Sequence, residues 1–274
     1  MMKENSFQYN GSNIYYKTIG HGKPVLLLHG FGEDGTIWER QVTALQNNYR
    51  LIIPDIPGSG KSALVPNATI ETYAEIIKKL IDLEHSQATA SGGSFESFSL
   101  IGHSMGGYVA LAFAEKYPQY LNSLGLFHSS AFADADEKKA NRKKAIEFIQ
   151  EKGAVAFLKT SIPGLFNEAF DAENKPVILS LISKATNFTE AALVQYYEAM
   201  IARPDRVHVL KNFTKPVLFI IGEHDKAVPL QSSLEQCYLP ALSHVHILKN
   251  AAHMGMYEET AKVNSVLNNF LAQV

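Results

Sequence analysis

Hydrophobic residues along this chain fall into two alternating patterns. Short, predominantly apolar runs occur at residues 25–28, 51–53, 98–101, 121–127 and 217–221, the first of them fully apolar. Runs of that length predict strands buried on both faces, as in a parallel sheet. Between them lie segments with helical spacing. Ile70, Tyr73, Ala74, Ile77, Leu80 and Ile81 mark one helix over 70–83, and Trp38, Val42 and Leu45 mark another over 36–47. A hairpin is predicted at the start, with strands 7–9 and 14–19 turning at Asn10-Gly11. Residues 107–117 read as a helix, and the polar stretch 85–97 as a surface loop. The C-terminal part resumes with a helix over 231–239, a strand over 245–248 and a closing helix over 258–272. This alternation predicts an α/β fold, a mostly parallel central sheet flanked by helices.

The rhythm breaks between 133 and 208, where helical segments follow one another without a strand. The expected organisation is a core of residues 1–132 and 209–274 with a helical cap inserted at 133–208. Phe157, Leu165, Phe166, Phe170, Phe188, Tyr196 and Met200 are candidates to line a cavity beneath it. An insertion leaving and rejoining at one sheet edge predicts a lid over a mostly apolar pocket. Such a pocket would favour small or medium apolar acyl groups over charged ones.

Candidate chemistry centres on Phe98–Gly107, which reads F-S-L-I-G-H-S-M-G-G. Gly102, Ser104 and Gly106 form G-x-S-x-G between a strand and a helix, which places Ser104 on a sharp elbow. A serine hydroxyl needs a base. Of ten histidines, His253 is the best placed, on the loop after the last strand. His103 is adjacent to Ser104, and the elbow turns its side chain away. Asp225, after the strand at 217–221, is the expected acid, with Glu223 and Asp134 as rivals. Met105 and Phe31 are the expected backbone donors to a developing oxyanion.

A second glycine-rich stretch, Gly58-Ser59-Gly60-Lys61-Ser62, resembles a phosphate loop. The position that should hold its first glycine holds Asp55, so a sharp turn is the preferred reading. The net charge of −2 implies no nucleic-acid partner. Cys237 is the only cysteine, which excludes an intrachain disulfide and a cysteine-rich zinc site. No apolar run reaches a membrane span, and the N-terminus has no apolar signal core, so a cytoplasmic location is expected.

Five segments together resemble the α/β-hydrolase fold superfamily, in particular its serine hydrolases with a helical cap. They are His29-Gly30-Phe31-Gly32, Asp55–Ser62, Gly102–Gly107, Gly222-Glu223-His224-Asp225 and Ala252-His253. The resemblance implies Ser104 as nucleophile, His253 as base, Asp225 as acid, and an oxyanion hole at Phe31 and Met105. It implies a small-molecule ester as substrate, with no metal and no cofactor. Trp38, His103, Phe127, Leu165, Phe166, Tyr196, Met200, Val228 and Met254 are the pocket candidates. Thioesterases, lactonases, carbon–carbon bond hydrolases, perhydrolases and non-enzymatic small-molecule receptors share the same elbow.

Overall fold

The structure is a computed structural model that describes residues 2–90 and 97–274. Eight strands form one sheet: β1 Lys3–Tyr9, β2 Ser12–Gly20, β3 Lys23–Leu28, β4 Tyr49–Pro54, β5 Phe98–His103, β6 Leu121–Phe127, β7 Val217–Gly222 and β8 Ser243–Leu248. Their spatial order is β1-β2-β4-β3-β5-β6-β7-β8. The β1–β2 and β2–β4 pairs are antiparallel and all others parallel. Asn10 and Gly11 both take positive φ at the first hairpin, the backbone that a two-residue turn demands. The apolar runs of β5 and β7 are buried throughout, as their composition predicts.

Helices cover both faces: α1 Glu39–Leu45, α2 Ile70–Ala90 and α3 Met105–Lys116 before the insertion, and α10 Leu230–Cys237, α11 Gly255–Glu258 and α12 Thr260–Leu271 after it. Between β6 and β7 lie only helices: α4 Asp136–Lys152, α5 Ala154–Ser161, α6 Glu168–Glu173, α7 Lys175–Ser183, α8 Glu190–Ala202 and α9 Val207–Asn212, with short 3₁₀ turns.

Three expectations need correction. Residues 85–90 belong to α2 rather than to a loop; Ser86 and Thr89 return their hydroxyls to the carbonyls one turn back and keep the helix running. Residues 91–96 of that expected loop lie outside the described residues. The helix expected over 36–47 begins as a 3₁₀ turn, Gly35–Trp38, because the Asp34 side chain caps Thr36 N. The closing helix is broken at Glu259, giving α11 and α12. The short α9 has no distinctive spacing, and it packs on α3, beneath the insertion.

No single helix among the described residues is long and apolar enough to cross a membrane.

Candidate active site

The carboxyl ends of β3, β5, β6, β7 and β8 deliver His29, Ser104, His128, Asp225 and His253 to one edge of the sheet. Ser104 has φ 51° and ψ −116°, a strained conformation for a residue with a side chain. The elbow tolerates it only because its flanks lack Cβ atoms. A Cβ on Gly102 would lie 2.3 Å from the Gly106 carbonyl, and one on Gly106 would lie 2.6 Å from the carbonyl oxygens of Leu28 and His29. The Ser104 N–H is held by the Phe127 carbonyl at 2.9 Å, and its own carbonyl accepts from Ser129 Oγ at 2.7 Å.

Ser104 Oγ lies 2.9 Å from His253 Nε2, and His253 Nδ1 lies 2.8 Å from Asp225 Oδ2. A carboxylate only accepts, so Nδ1 carries the proton and Nε2 is free to accept from the serine hydroxyl. The other oxygen of Asp225 accepts from the N–H groups of Ala227 and Val228, both at 2.8 Å. Burial would push the Asp225 carboxyl up, but His253 and His128 hold it well below the usual carboxylate range. The rivals are placed elsewhere. Asp134 is paired with Arg142 and Arg203, and Glu223 is exposed on the far side of the turn.

Two further buried histidines flank His253 and carry opposite protonation. Both ring nitrogens of His103 face acceptors: Glu33 Oε2 at 2.9 Å and the His253 carbonyl at 3.0 Å. Each contact needs an N–H, so His103 is an imidazolium paired with Glu33. Burial pulls its pKa down, yet Glu33 raises it overall. Glu33 also accepts from Gly30 N at 2.6 Å. This pair therefore ties the loop after β3 to the loop carrying His253. His128 is the opposite case. Its Nε2 accepts from Gly255 N at 3.3 Å, and its Nδ1 lies 3.2 Å from both Gly222 N and Asp225 Oδ2, so at most one ring nitrogen carries a proton and the ring is neutral. Burial pushes its pKa down to about 4.

His128, Asp225 and His253 bring potential metal-ligand atoms within 4.8 Å of one another. The imidazole nitrogens that face Asp225 both carry protons in this hydrogen-bond pattern. A metal there would have to displace these protons and the hydrogen bonds they make to Asp225.

His29 accepts from Ile56 N at 2.8 Å through Nε2, which fastens the loop after β3 to the loop after β4. That second loop is filled by Asp55, which accepts from Gly35 N at 2.9 Å and Lys61 N at 2.8 Å. A carboxylate thus sits where a phosphate cradle would need its anion, and Gly60 curls so tightly that a Cβ would meet Asp55 at 2.2 Å.

Two adjoining cavities share Phe31, Glu33, Leu165 and Tyr197. The smaller, about 100 Å³, is walled by apolar side chains such as Leu158, Ile162, Phe188 and Met254. The larger, about 470 Å³, holds Ser104 and His253 together with Met200, Val228, Tyr108, Lys138 and Arg142. Both lobes are walled mostly by apolar surface, as expected, and the larger one adds the charged groups Lys138 and Arg142.

Of the pocket candidates, Leu165, Met200, Val228 and Met254 line these cavities. The other five do not. Trp38 and Phe127 are fully buried against each other, 5.7 Å between ring centres. His103 is consumed by its ion pair with Glu33. Phe166 stacks on Phe170 at 5.3 Å. Tyr196 donates its hydroxyl to the Ile56 and Pro57 carbonyls, anchoring the insertion to the core. Its neighbour Tyr197 faces the cavity instead and stacks on Phe31 at 4.3 Å. Tyr108 lies in the first turn of the helix that starts right after Ser104, so its nearness to the serine was a signal present in the sequence.

The alpha/beta hydrolase family model matches residues 25–266. A 2-hydroxy-6-oxononadienedioate/2-hydroxy-6-oxononatrienedioate hydrolase from Paraburkholderia phymatum is 26% identical over 285 residues, covering 95% of this chain and 91% of the relative. The protein of that name from Escherichia coli K12 is 27% identical over 278 residues, covering 95% and 91%. Among solved structures, a thermophilic esterase from Thermogutta terrifontis, with malate bound, superposes with a TM-score of 0.89 at 27% identity, covering 99% of this chain and 98% of that one. An enol-lactonase from Burkholderia xenovorans LB400 has a TM-score of 0.87 at 21% identity over 98% of this chain and all of that one, a likeness of fold alone. With a family match spanning most of its length and a serine, a histidine and an aspartate in hydrogen-bonded series at the sheet edge, this chain belongs to the alpha/beta hydrolase family and is a hydrolase.

Proposed function

We propose that this protein hydrolyses a small or medium carboxylic ester through an acyl-enzyme, with Ser104 as nucleophile, His253 as general base and Asp225 as the acid that orients it. The observation that carries this reading is the continuous pair of contacts Ser104 Oγ–His253 Nε2 and His253 Nδ1–Asp225 Oδ2. As Ser104 attacks the carbonyl carbon, His253 takes the hydroxyl proton and becomes charged beside a carboxylate that is already ionised. The backbone N–H groups of Phe31 and Met105 donate to the oxyanion; neither donates to a partner within the chain among the described residues. His253 returns the proton to the leaving alcohol. Water, activated by the same base, then releases the acid and restores Ser104. No step requires a metal or an organic cofactor.

The names of the curated relatives favour a second reading, hydrolysis of a carbon–carbon bond next to a ketone. Both readings use Ser104, and substrate profile separates them. A fluorophosphonate should label Ser104 alone, as mapped on peptides, and p-nitrophenyl esters should be turned over repeatedly. Labelling of another serine would overturn the assignment. Turnover of a vinylogous diketone with inert esters would favour the second reading.

A further inference from the structure

Arg142 and Lys138 stand one helical turn apart on α4 and line the same cavity as Ser104. Around them the charges do not cancel. Asp134 accepts from Arg142 Nε at 2.6 Å and from Arg203 Nη2 at 3.0 Å, and Lys138 lies 3.9 Å away, so one buried carboxylate faces three cations. Exposed Glu137 returns one negative charge at the mouth, and Lys226 at that mouth lies 3.7 Å from Glu168. The surplus remains positive. Arg142 lies over the Tyr197 ring at 5.5 Å, which fixes its plane. Lys138 spends one proton on the Ala227 carbonyl at 2.8 Å and keeps two more donors.

Tyr108 reports the resulting field. Tyr108 lines this cavity, and its hydroxyl has no hydrogen-bond partner among the described residues. Arg203 lies over its ring at 3.8 Å. Burial should raise the phenol, yet Arg203, Lys138 and Arg142 together bring it below its ordinary value. A free phenolic donor in a positive field is matched by an anion. Tyr108 is the fourth residue of α3, which begins directly after Ser104, and both residues line this cavity.

We propose that Tyr108, Lys138 and Arg142 form a carboxylate-binding subsite, so that the preferred substrates are esters bearing a free carboxylate at the end away from the scissile bond, such as half-esters of succinic or glutaric acid. This rests on the ester-hydrolase reading above for its substrate, though not for its binding site. The carboxylate would take N–H donors from Arg142 and Lys138 and the O–H of Tyr108, charge-assisted bonds stronger than neutral ones. The apolar lobe beyond Leu165 takes the other end of the ester.

Two measurements test it. The first compares kcat/KM for mono-p-nitrophenyl glutarate with that for p-nitrophenyl butyrate. The anionic ester should be preferred, and the preference should fall about tenfold in Arg142→Gln and in Tyr108→Phe, the size of one charge-assisted bond. The second measures glutarate binding by calorimetry to the full-length Ser104→Ala protein. Affinity should fall by about the same factor when either change is added. If neither ester is turned over but glutarate binds and responds to both variants, the ester reading fails and the subsite stands. If the butyrate ester is hydrolysed while the preference stays within twofold in both variants, or if glutarate does not bind, the subsite is overturned. Tyr108→Phe removes only an unpartnered oxygen, so it keeps the test open should Arg142→Gln misfold.

Discussion

At the carboxyl edge of the sheet, polar side chains are over-subscribed. Asp225 serves His253, His128 and two backbone N–H groups; Glu33 serves His103 and Gly30. In the insertion the balance reverses. Lys138 keeps unused donors facing the cavity, and Leu165, Met200 and Tyr197 present apolar surface to it. The difference separates two tasks. Fully bonded groups have one geometry, as proton transfer over 2.9 Å requires. Groups with spare valence can meet whatever enters. Changes at the edge should therefore abolish function, whereas changes in the insertion should redirect it.

The largest effects break the edge. Ser104→Ala and His253→Ala should remove nearly all turnover while leaving the fold intact by circular dichroism. Asp225→Asn should lower kcat by roughly 10⁴, the loss known for the equivalent change in serine proteases, where the wrong tautomer results. Glu223→Gln should stay near wild type. A crippled Glu223→Gln with an active Asp225→Asn would place the acid elsewhere.

Next in size is the Glu33–His103 pair, where the comparison is sharpened in stability rather than rate. Glu33→Gln leaves a buried imidazolium without its partner and should cost roughly 3–5 kcal/mol. The pH dependence has two limits. His103 is raised, so its share is complete below about pH 6.5, its unfolded value, and fades as pH rises through its folded value. Glu33 is lowered, so its share is present above about pH 4.3 and fades as pH falls through its folded value. The gap in Tm between wild type and variant should be widest between these limits and close on either side. A gap that kept widening above pH 9 would show that His103 is not charged.

Smaller effects belong to the insertion. Met200→Trp should shorten the accepted acyl chain and Leu165→Trp the accepted alcohol, with about 1–3 kcal/mol of discrimination per excluded methylene, while the smallest esters lose little rate. An unchanged chain-length profile in both would detach the insertion from specificity. Smallest of all, Lys61→Ala removes an exposed ion pair with Glu4 and a contact over the Tyr15 ring, and it should leave stability nearly unchanged. Calorimetry with ATP should show no saturable binding before or after the change, because Asp55 occupies the loop.

What could be read in the sequence follows the same divide. Ser104, Asp225 and His253 each stand just past an apolar run, and strand polarity brings such positions to one edge without further information. The pocket depends on helix rotation, which spacing leaves open. Tyr196 and Tyr197 differ by one residue, about 100° around a helix. Which of them faces the cavity is decided by hydrogen bonds to Ile56 and Pro57, some 140 residues away in the chain. The two cations in the larger lobe escaped the sequence reading for a related reason. Lys138 and Arg142 look like the outer face of a charged helix until Asp134 and Tyr197 turn them inward.

One contact gives the molecule its mechanical character. The His253 N–H donates to the Leu165 carbonyl at 2.9 Å, and Glu258 accepts at once from Asn167 N in the insertion and from Ala252 N and Met254 N on either side of the histidine. The segment over the pocket and the loop holding the base are thus spliced into one linkage. Residues 165–167 have no freedom to swing outward alone. Any opening there severs these bonds and slackens the loop of His253, so admission of ligand and the Ser104–His253 contact run on a single hinge.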